Sequence, residues 1–509
     1  MSYQLPRKLL AALLAAALSL GATALAAGTV RIATSLAPNS LQPAEATGIP
    51  DAAVIRTMFE GLVGFLDGEL VNELAESWSS NDDATVYTFE LRPGVKFHDG
   101  TALDAAAVKA YYDWVLDPAS IGARGRNQLK DISSTEVLGD LEFRINLSKP
   151  NGAFIYLLAV SNARIASPAS LEAYGTEVSR HPVGTGPFKF ASWDEGQRVV
   201  VEANPDYWGG APKVDRLEFV VVNNAATRVA MLQSGEVQFI EALPPQLVPV
   251  IDAAPGLEVV TTKTNFLRIL QLNTTKEPFT DVRVRQALNY AIDKQQLVDV
   301  AVAGLATVMT APIPATVFGY AEQPAYDYDP ERARSLLAEA GYPNGFDMKV
   351  LTFTGDEYRT VGQVLQQMFE RVGVRMTLDQ QERGALVDQI FKPVDENPTQ
   401  AALVGATAST GDADLAISTS FIEASFPPAS NNWSFYENDE VERLVAEARA
   451  TGDQPRRAEL YAEALGIIWH DAPWVFLYSP DSVAGRSTNL TGVAYSPDNT
   501  VDARRAELK

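Results

Sequence analysis

Apolar and polar residues recur along this chain in two rhythms, and each rhythm predicts an element. Val86 to Arg92 (VYTFELR) alternates with the period of two expected of a strand, and Pro93-Gly94 ends it as a turn. Val137 to Leu147 and Val199 to Glu202 read as further strands. Leu217 to Val222, nearly all apolar and β-branched, suits a strand buried on both faces, and so does the apolar stretch Ala401 to Ala406. The helical rhythm is equally marked. Val284, Ala287, Leu288, Ala291 and Ile292 share one face of a helix starting near Thr280 or Asp281. Asp329-Pro330 supplies an N-cap and a first-turn proline for a helix stopped at Gly341. Val441, Leu444, Val445 and Ala448 form another stripe, as do Leu460, Tyr461, Ala464, Leu465 and Ile468. These stripes are expected to be core. Strand-like and helix-like segments alternate without a short-period repeat, which predicts a mixed α/β protein with no single regular βαβ series.

The first residues follow a different rule. Arg7 and Lys8 precede the apolar stretch Leu9 to Leu20, and Ala24-Leu25-Ala26 follows. A basic start, a short apolar run and an A-x-A site make a secretory signal peptide, with cleavage expected after Ala26. The run falls short of the ~20 residues a membrane-spanning helix needs.

Composition then narrows the chemistry. Removing the signal takes away two basic residues and no acid, so the formal net charge moves from −23 to −25. A surface this acidic repels nucleic acid and anionic membranes. With 46% hydrophobic residues the remainder is folded, and its length predicts two or three domains. The chain has no cysteine, which excludes thiol nucleophiles, zinc ribbons and a lipid-modified cysteine anchor. A soluble periplasmic protein is the expectation. His98, His181 and His470 are far apart in sequence, and no H-E-x-x-H, G-x-S-x-G, phosphate-binding loop or EF-hand loop occurs. No metal, cofactor or catalytic set is expected. Gly184-Thr185-Gly186 lacks the third glycine of a dinucleotide fingerprint and reads as a tight turn.

Three segments carry a resemblance. The first runs from Glu73 to Pro118 and contains YTFELRPGVKFHDG (87–100). The second is HPVGTGPFKFASW (181–193), followed by EANPDYWGGAPKVDRLEF (202–219) and TRVAMLQSGEVQF (227–239). The third is LNTTKEPFTDVRVRQALNYAIDK (272–294), followed by YDPERARSLLAEAGYPNGF (328–346). In this order they resemble the family 5 extracellular solute-binding proteins, the peptide- and nickel-binding components of ABC importers. Most of these motif residues are expected to serve the fold, with Asn273 and Arg283 anchoring the chain where it enters the second lobe. Within the family, TGDAD (410–414), the SFPP run (425–428) leading to Phe435-Tyr436, IIWHDAPWVFL (467–477) and NLTG (489–492) are similar to the glutathione-binding members.

The resemblance implies a class II-like, bilobal periplasmic-binding-protein fold of the three-domain peptide-binding type, with a cleft between the lobes. Domain I would comprise residues 27–66, 184–265 and 481–509, domain II residues 67–183, and domain III residues 266–480. It also implies a monomer that captures glutathione or a related short peptide and delivers it to a membrane permease. The alternatives are a binding protein for ordinary oligopeptides, an oligosaccharide or a nickel chelate, and a periplasmic peptide hydrolase. Dipeptide binders place an aspartate for the ligand α-amine where this chain has Ser409, and a tryptophan where it has Ala406. The glutathione-binding members share the first departure and keep the tryptophan.

A glutathione-like ligand carries two carboxylates and one ammonium group. Arginine suits a carboxylate because its fork is bidentate. The candidates are Arg268, in the strand-like segment 266–272, where a surface salt bridge is the competing reading, and Arg359, near the position where dipeptide binders hold the ligand carboxylate. Trp433, Phe435 and Tyr436 are candidate aromatic walls, against core packing. Asp412 and Asp414 follow the apolar strand 401–406, and two carboxylates two residues apart would seat an ammonium group. The rival reading places them at a helix start, since Ser409-x-x-Asp412 has the form of a cap.

Overall fold

The structure, a computed structural model, describes residues 28–509. The expected signal segment and its cleavage site therefore lie outside the described residues.

The helices begin where the sequence supplies a cap. Asp281 accepts a hydrogen bond from Arg283 N (2.8 Å) at the start of Val282–Tyr290, and Asp329 accepts one from Arg332 N (2.8 Å) at the start of Pro330–Glu339. Each satisfies an N–H that the first turn leaves without a partner. The stripes at 441–448 and 460–468 lie on helices Asp439–Arg449 and Gln454–Asp471 and are buried.

The strands build one long sheet that runs through both lobes. Its order is Arg375–Gln381, Asp347–Phe353, Ala401–Thr407, Phe266–Leu272, Trp474–Ser487, Phe239–Ile240, Thr29–Thr34, Arg216–Val221, Arg198–Ala203, Phe188–Asp194. The 14-residue strand Trp474–Ser487 belongs to both lobes: its first half pairs with Phe266–Leu272, its second half with Leu257–Lys263. The chain thus crosses between lobes at Thr264-Asn265 and, beside it, at Ser479 to Asp481. Thr264 Oγ1 donates to Pro480 O (2.6 Å) and Ser479 Oγ to Thr264 O (3.1 Å), tying the two crossings together.

In the second lobe, side-chain alternation feeds two cores. Leu267, Ile269, Val404, Trp474 and Phe476 face one, packed on the 439–449 and 454–471 helices. Leu270, Leu272, Leu403, Val475 and Leu477 face the other, packed on helices Val282–Tyr290 and Asp356–Glu370. A central strand with helices on both faces must be apolar on both, which is why 401–406 shows no alternation. In the first lobe, the antiparallel sheet of Ala75–Ser80, Val86–Leu91, Glu142–Leu147 and Ile132–Val137 shares a single core with the long sheet.

Three local expectations change. Val137 to Leu147 is not one strand: Leu138 N donates to Glu142 O (2.9 Å), and Gly139-Asp140 turns the chain into a hairpin. Gly184 and Gly186 do not make a tight turn but pass against Met58. A Cβ at 184 would lie 2.1 Å from Met58 O, and Gly186 N donates to that same oxygen (2.9 Å). Asn273 does anchor its segment, donating to Thr399 O (2.9 Å), but Arg283 lies exposed on its own Asp281. The buried anchor is Arg285, which donates to Asp471 O (2.8 Å) and Phe279 O (2.7 Å).

Several motif residues converge on the buried Glu60. Its carboxylate accepts from Tyr207 Oη (2.7 Å), Trp208 Nε1 (2.9 Å) and Thr185 Oγ1 (2.8 Å). Burial, and then the neighbouring Glu73, push it up to about 7. Glu73 itself is bracketed by Arg164 (3.0 Å) and Arg504 (2.8 Å).

Candidate functional site

A cavity of about 880 Å³ lies beside the two crossings, between the lobes. The first lobe contributes Leu243-Pro244-Pro245, Val483, Tyr495 and Asn499. The second contributes Phe266, Arg268, Tyr358, Arg383, Ala406 and Trp433, among others. Its volume is of the size that takes a small organic molecule (roughly 300–1,000 Å³). A second cavity of about 420 Å³ adjoins it, lined by Thr47, Gly48, Arg124, Asn162, Ser409 and Thr410, among others. Phe266 and Thr407 line both, so the two chambers meet at that pair. Ala406 lines the larger chamber and Ser409 the smaller. A bulky indole and a carboxylate, expected there in dipeptide binders, are thus replaced by open room in one chamber and a neutral hydroxyl in the other.

Arg268 faces the larger chamber but is already engaged. Its Nε and Nη2 donate to Glu357 Oε1 (2.9 and 2.8 Å), its Nη1 to Tyr358 Oη (2.5 Å), and the guanidinium lies 4.3 Å from the Tyr358 ring centroid. Tyr478 Oη adds a donor to the same Glu357 oxygen (2.8 Å). Burial opposes the charge on Arg268, yet the Glu357 carboxylate outweighs it and holds the guanidinium protonated above its ordinary range. Gly405 stands opposite Arg268 in the strand pairing, and a Cβ there would come within 2.9 Å of Arg268 Nη1. The arginine can lie across the sheet because the neighbouring strand has no side chain at that point.

Trp433 also lines the larger chamber, edge-on to Phe391 with centroids 5.3 Å apart. The other expected residues do not reach it. Arg359 is exposed in the first turn of helix Asp356–Glu370, paired with Asp356 (2.5 Å), and lines neither chamber. Tyr436 is buried, with its hydroxyl donating to Asp471 Oδ2 (2.7 Å), and Phe435 packs against Phe426. Their rings serve the core.

The aspartates are likewise committed elsewhere. Asp412 is the N-cap of helix Ala413–Ser420, accepting from Asp414 N (2.8 Å), so the cap is Asp412 itself and not Ser409. Both its oxygens accept from Arg457 Nη2 (3.0 and 2.8 Å), and both side chains are 0% exposed. Burial opposes the charge on Arg457, yet the Asp412 carboxylate outweighs it and holds the guanidinium protonated above its ordinary range. Asp414 is held by Arg449 through two bonds (2.7 and 3.0 Å). The alternation argument fails here because the strand ends at Thr407 and the chain turns at Gly411, where φ is +72°, before the helix begins. The pair of acids is a structural device of the second lobe, not an ammonium seat.

Sequence reasoning missed Arg383 and Arg124. Both are exposed on the chamber walls, and nothing in their local sequence separates them from surface arginines. Nor does any cluster of three or more histidines and acids among the described residues stand ready to hold a metal. His98 is half-buried, with Nδ1 accepting from Gly184 N (3.3 Å) and Nε2 bonded to Gly186 O (3.0 Å), and its desolvation holds its pKa down at about 4.

The family model described as bacterial extracellular solute-binding proteins, family 5 Middle, matches residues 69–464. The chain belongs to this family. Two relatives named glutathione-binding protein GsiB are similar over most of its length. That of Pectobacterium atrosepticum is 39% identical over 475 residues (92% of each chain), and that of Escherichia coli 37% over 493 residues (96% of each). Among solved structures, HbpA2 of Haemophilus parasuis superposes with a TM-score of 0.86 at 29% identity, covering 95% of this chain and all of the other. The periplasmic binding protein DppA of Helicobacter pylori, in complex with the peptide STSA, gives 0.74 at 29% identity over 94% and 98% of the two chains. The bilobal fold of these family 5 proteins is the fold found here, with the chambers lying between the lobes. No helix among the described residues is long and apolar enough to cross a membrane.

Proposed function

We propose that this family 5 protein captures glutathione or a related short peptide between its lobes and hands it to an ABC permease in the inner membrane. The observation that carries the reading is the end-to-end likeness, at 37–39% identity, to proteins named for glutathione binding. The larger chamber supports it, being closed on two sides by the lobes and mixed in character. Phe266 and Trp433 offer apolar walls, while Thr264, Ser420 and Asn431 offer hydrogen-bonding groups. Arg268 and Trp433 are the expected residues retained as ligand contacts. Arg268 still has N–H groups to spare beyond those given to Glu357 and Tyr358.

The protein acts as a carrier without turnover. Its chain has no cysteine, and the best-buried imidazole, His98, is tied to backbone at both nitrogens. It is exported by a signal peptide cleaved after Ala26 and works in the periplasm as an unlipidated monomer. Domain I consists of residues 27–66, 184–265 and 481–509, domain II of 67–183, and domain III of 266–480, so that closure turns on the crossings at 264–265 and 479–481.

Two measurements test the ligand. Mass spectrometry of small molecules released from protein purified out of its native periplasm should find glutathione or a close relative. A ligand that binds only the folded state raises the melting temperature by mass action, so reduced or oxidised glutathione in excess should do so. A flat response to both, beside a clear response to ordinary oligopeptides, would transfer the function to those.

A further inference from the structure

Each of the two chambers presents to the cleft a guanidinium with no anionic partner. Arg383, the first residue of helix Arg383–Ile390, lies 5.9 Å from the Phe353 ring centroid and makes no hydrogen bond or ion pair among the described residues. Arg124, on the short helix Ala123–Gln128, is likewise without one in the smaller chamber. The other charges on the lining are matched. Arg268 is paired with Glu357 (2.8 Å), Asp481 with Lys263 (3.0 Å) and Asp498 with Arg56.

What sets these two arginines apart is their place: they line the cleft, where the other charged side chains are matched. The two side chains come from opposite lobes, and Phe266 and Thr407 stand where their chambers meet.

We infer that the cleft is built for an elongated dianion, with one carboxylate held by Arg383 in the larger chamber and the other by Arg124 in the smaller. The neutral link between them passes Phe266 and Thr407. The ligand class is therefore a peptide with two carboxylates at separate ends, and a zwitterion with a single carboxylate fills only half of the charge pattern. Because each carboxylate is bound by a different lobe, the same contacts draw the lobes together. This inference rests on the reading of the cleft as the peptide site and specifies what that site selects.

The test is titration calorimetry of parent, Arg383→Gln and Arg124→Gln against three probes. These are reduced glutathione, glutathione amidated at its glycyl carboxyl, and 4-aminobutyryl-cysteinyl-glycine, which lacks the γ-glutamyl α-carboxylate but keeps an amine. A lost charge-assisted hydrogen bond corresponds to roughly 10- to 100-fold in affinity. Each variant should lose that much for glutathione. Each should also cease to discriminate against one of the two analogues, and not the same one. The unliganded variants should melt with the parent, since neither side chain is buried or paired.

Unchanged glutathione affinity in either variant overturns the double clamp while leaving the glutathione reading intact. Parent protein that binds the analogues as tightly as glutathione also overturns it. Should the parent ignore glutathione, that reading fails and the clamp is decided with glutamyl-alanyl-alanine, which carries a carboxylate at each end, and its two mono-amides. Binding of the diacid, weakened in both variants, upholds the clamp, and indifference to the diacid sinks it.

Discussion

Replacing Asp412 by asparagine separates the two readings of the TGDAD segment. Asparagine keeps the shape and the cap, since its Oδ1 can still accept from Asp414 N, and Asn ranks with Asp as an N-cap. What it removes is the charge opposite Arg457. That guanidinium is 0% exposed, enclosed by Phe318 and Tyr461 with ring centroids 5.3 Å away. Its remaining bonds go to the neutral Gln454 Oε1 (2.9 Å) and Tyr461 Oη (2.9 Å), and its Nε is buried without a partner. Stranding one member of a buried pair costs about 3–5 kcal/mol, whereas losing a cap costs about 1 kcal/mol. Asp412→Asn should therefore destabilise the protein by about 3–5 kcal/mol in urea unfolding followed by tryptophan fluorescence. Removing both charges, in Asp412→Asn/Arg457→Met, should recover a large part of that loss, because no buried charge is left unmatched. Affinity for the peptide ligand, measured by calorimetry under conditions where the variant is folded, should equal that of the parent. A variant within about 1 kcal/mol of parental stability, or one with weakened affinity that no longer distinguishes an amine-acetylated ligand, would refute the structural role and restore the ammonium seat.

Other consequences are as specific. Gly184→Ala should cost about 1–3 kcal/mol or more in urea unfolding, because its Cβ would sit 2.1 Å from Met58 O, and the backbone on both sides is fixed; parental stability would show that the two segments can separate. The His98 imidazole should titrate near pH 4 by NMR. Its folded pKa lies below the unfolded value near 6.5, so its contribution to stability is present above that value and is lost as pH falls towards 4. A midpoint at 6 or above would contradict the account of its burial. Glu60 has the opposite sign: its carboxyl is raised from 4.5 to about 7, so it favours the fold below 4.5 and loses that contribution as pH rises through 7. The stability difference between parent and Glu60→Gln should accordingly shift against the parent between pH 4.5 and 7, and a difference independent of pH would refute it. Intact-mass measurement of periplasmic material should give a chain starting at Ala27 with no lipid; a species retaining residues 1–26 would reject the export reading.

The sequence by itself determined what depends on neighbours along the chain. The caps at Asp281 and Asp329, the buried stripes at 441–448 and 460–468, and the doubly apolar strand at 401–406 are all legible. Backbone period and end-group hydrogen bonding are set within a few residues, and the ordered motifs carried the family and with it the bilobal architecture. Where a local signal competed with that period, the reading slipped, as at Gly139-Asp140, where a turn interrupts what looked like one strand. Charge pairing was decided only by the tertiary structure. Arg268 meets Glu357 across 89 positions, and Asp412 meets Arg457 across 45. A carboxylate bound for a buried arginine looks the same in sequence as one bound for a ligand. The same holds for cleft and surface: Arg359 and Arg383 are both exposed arginines in the first turn of a second-lobe helix, yet only Arg383 lines a chamber. Which of them faces the other lobe depends on how the crossings at 264–265 and 479–481 bring the lobes together, a long-range geometry that no local pattern encodes.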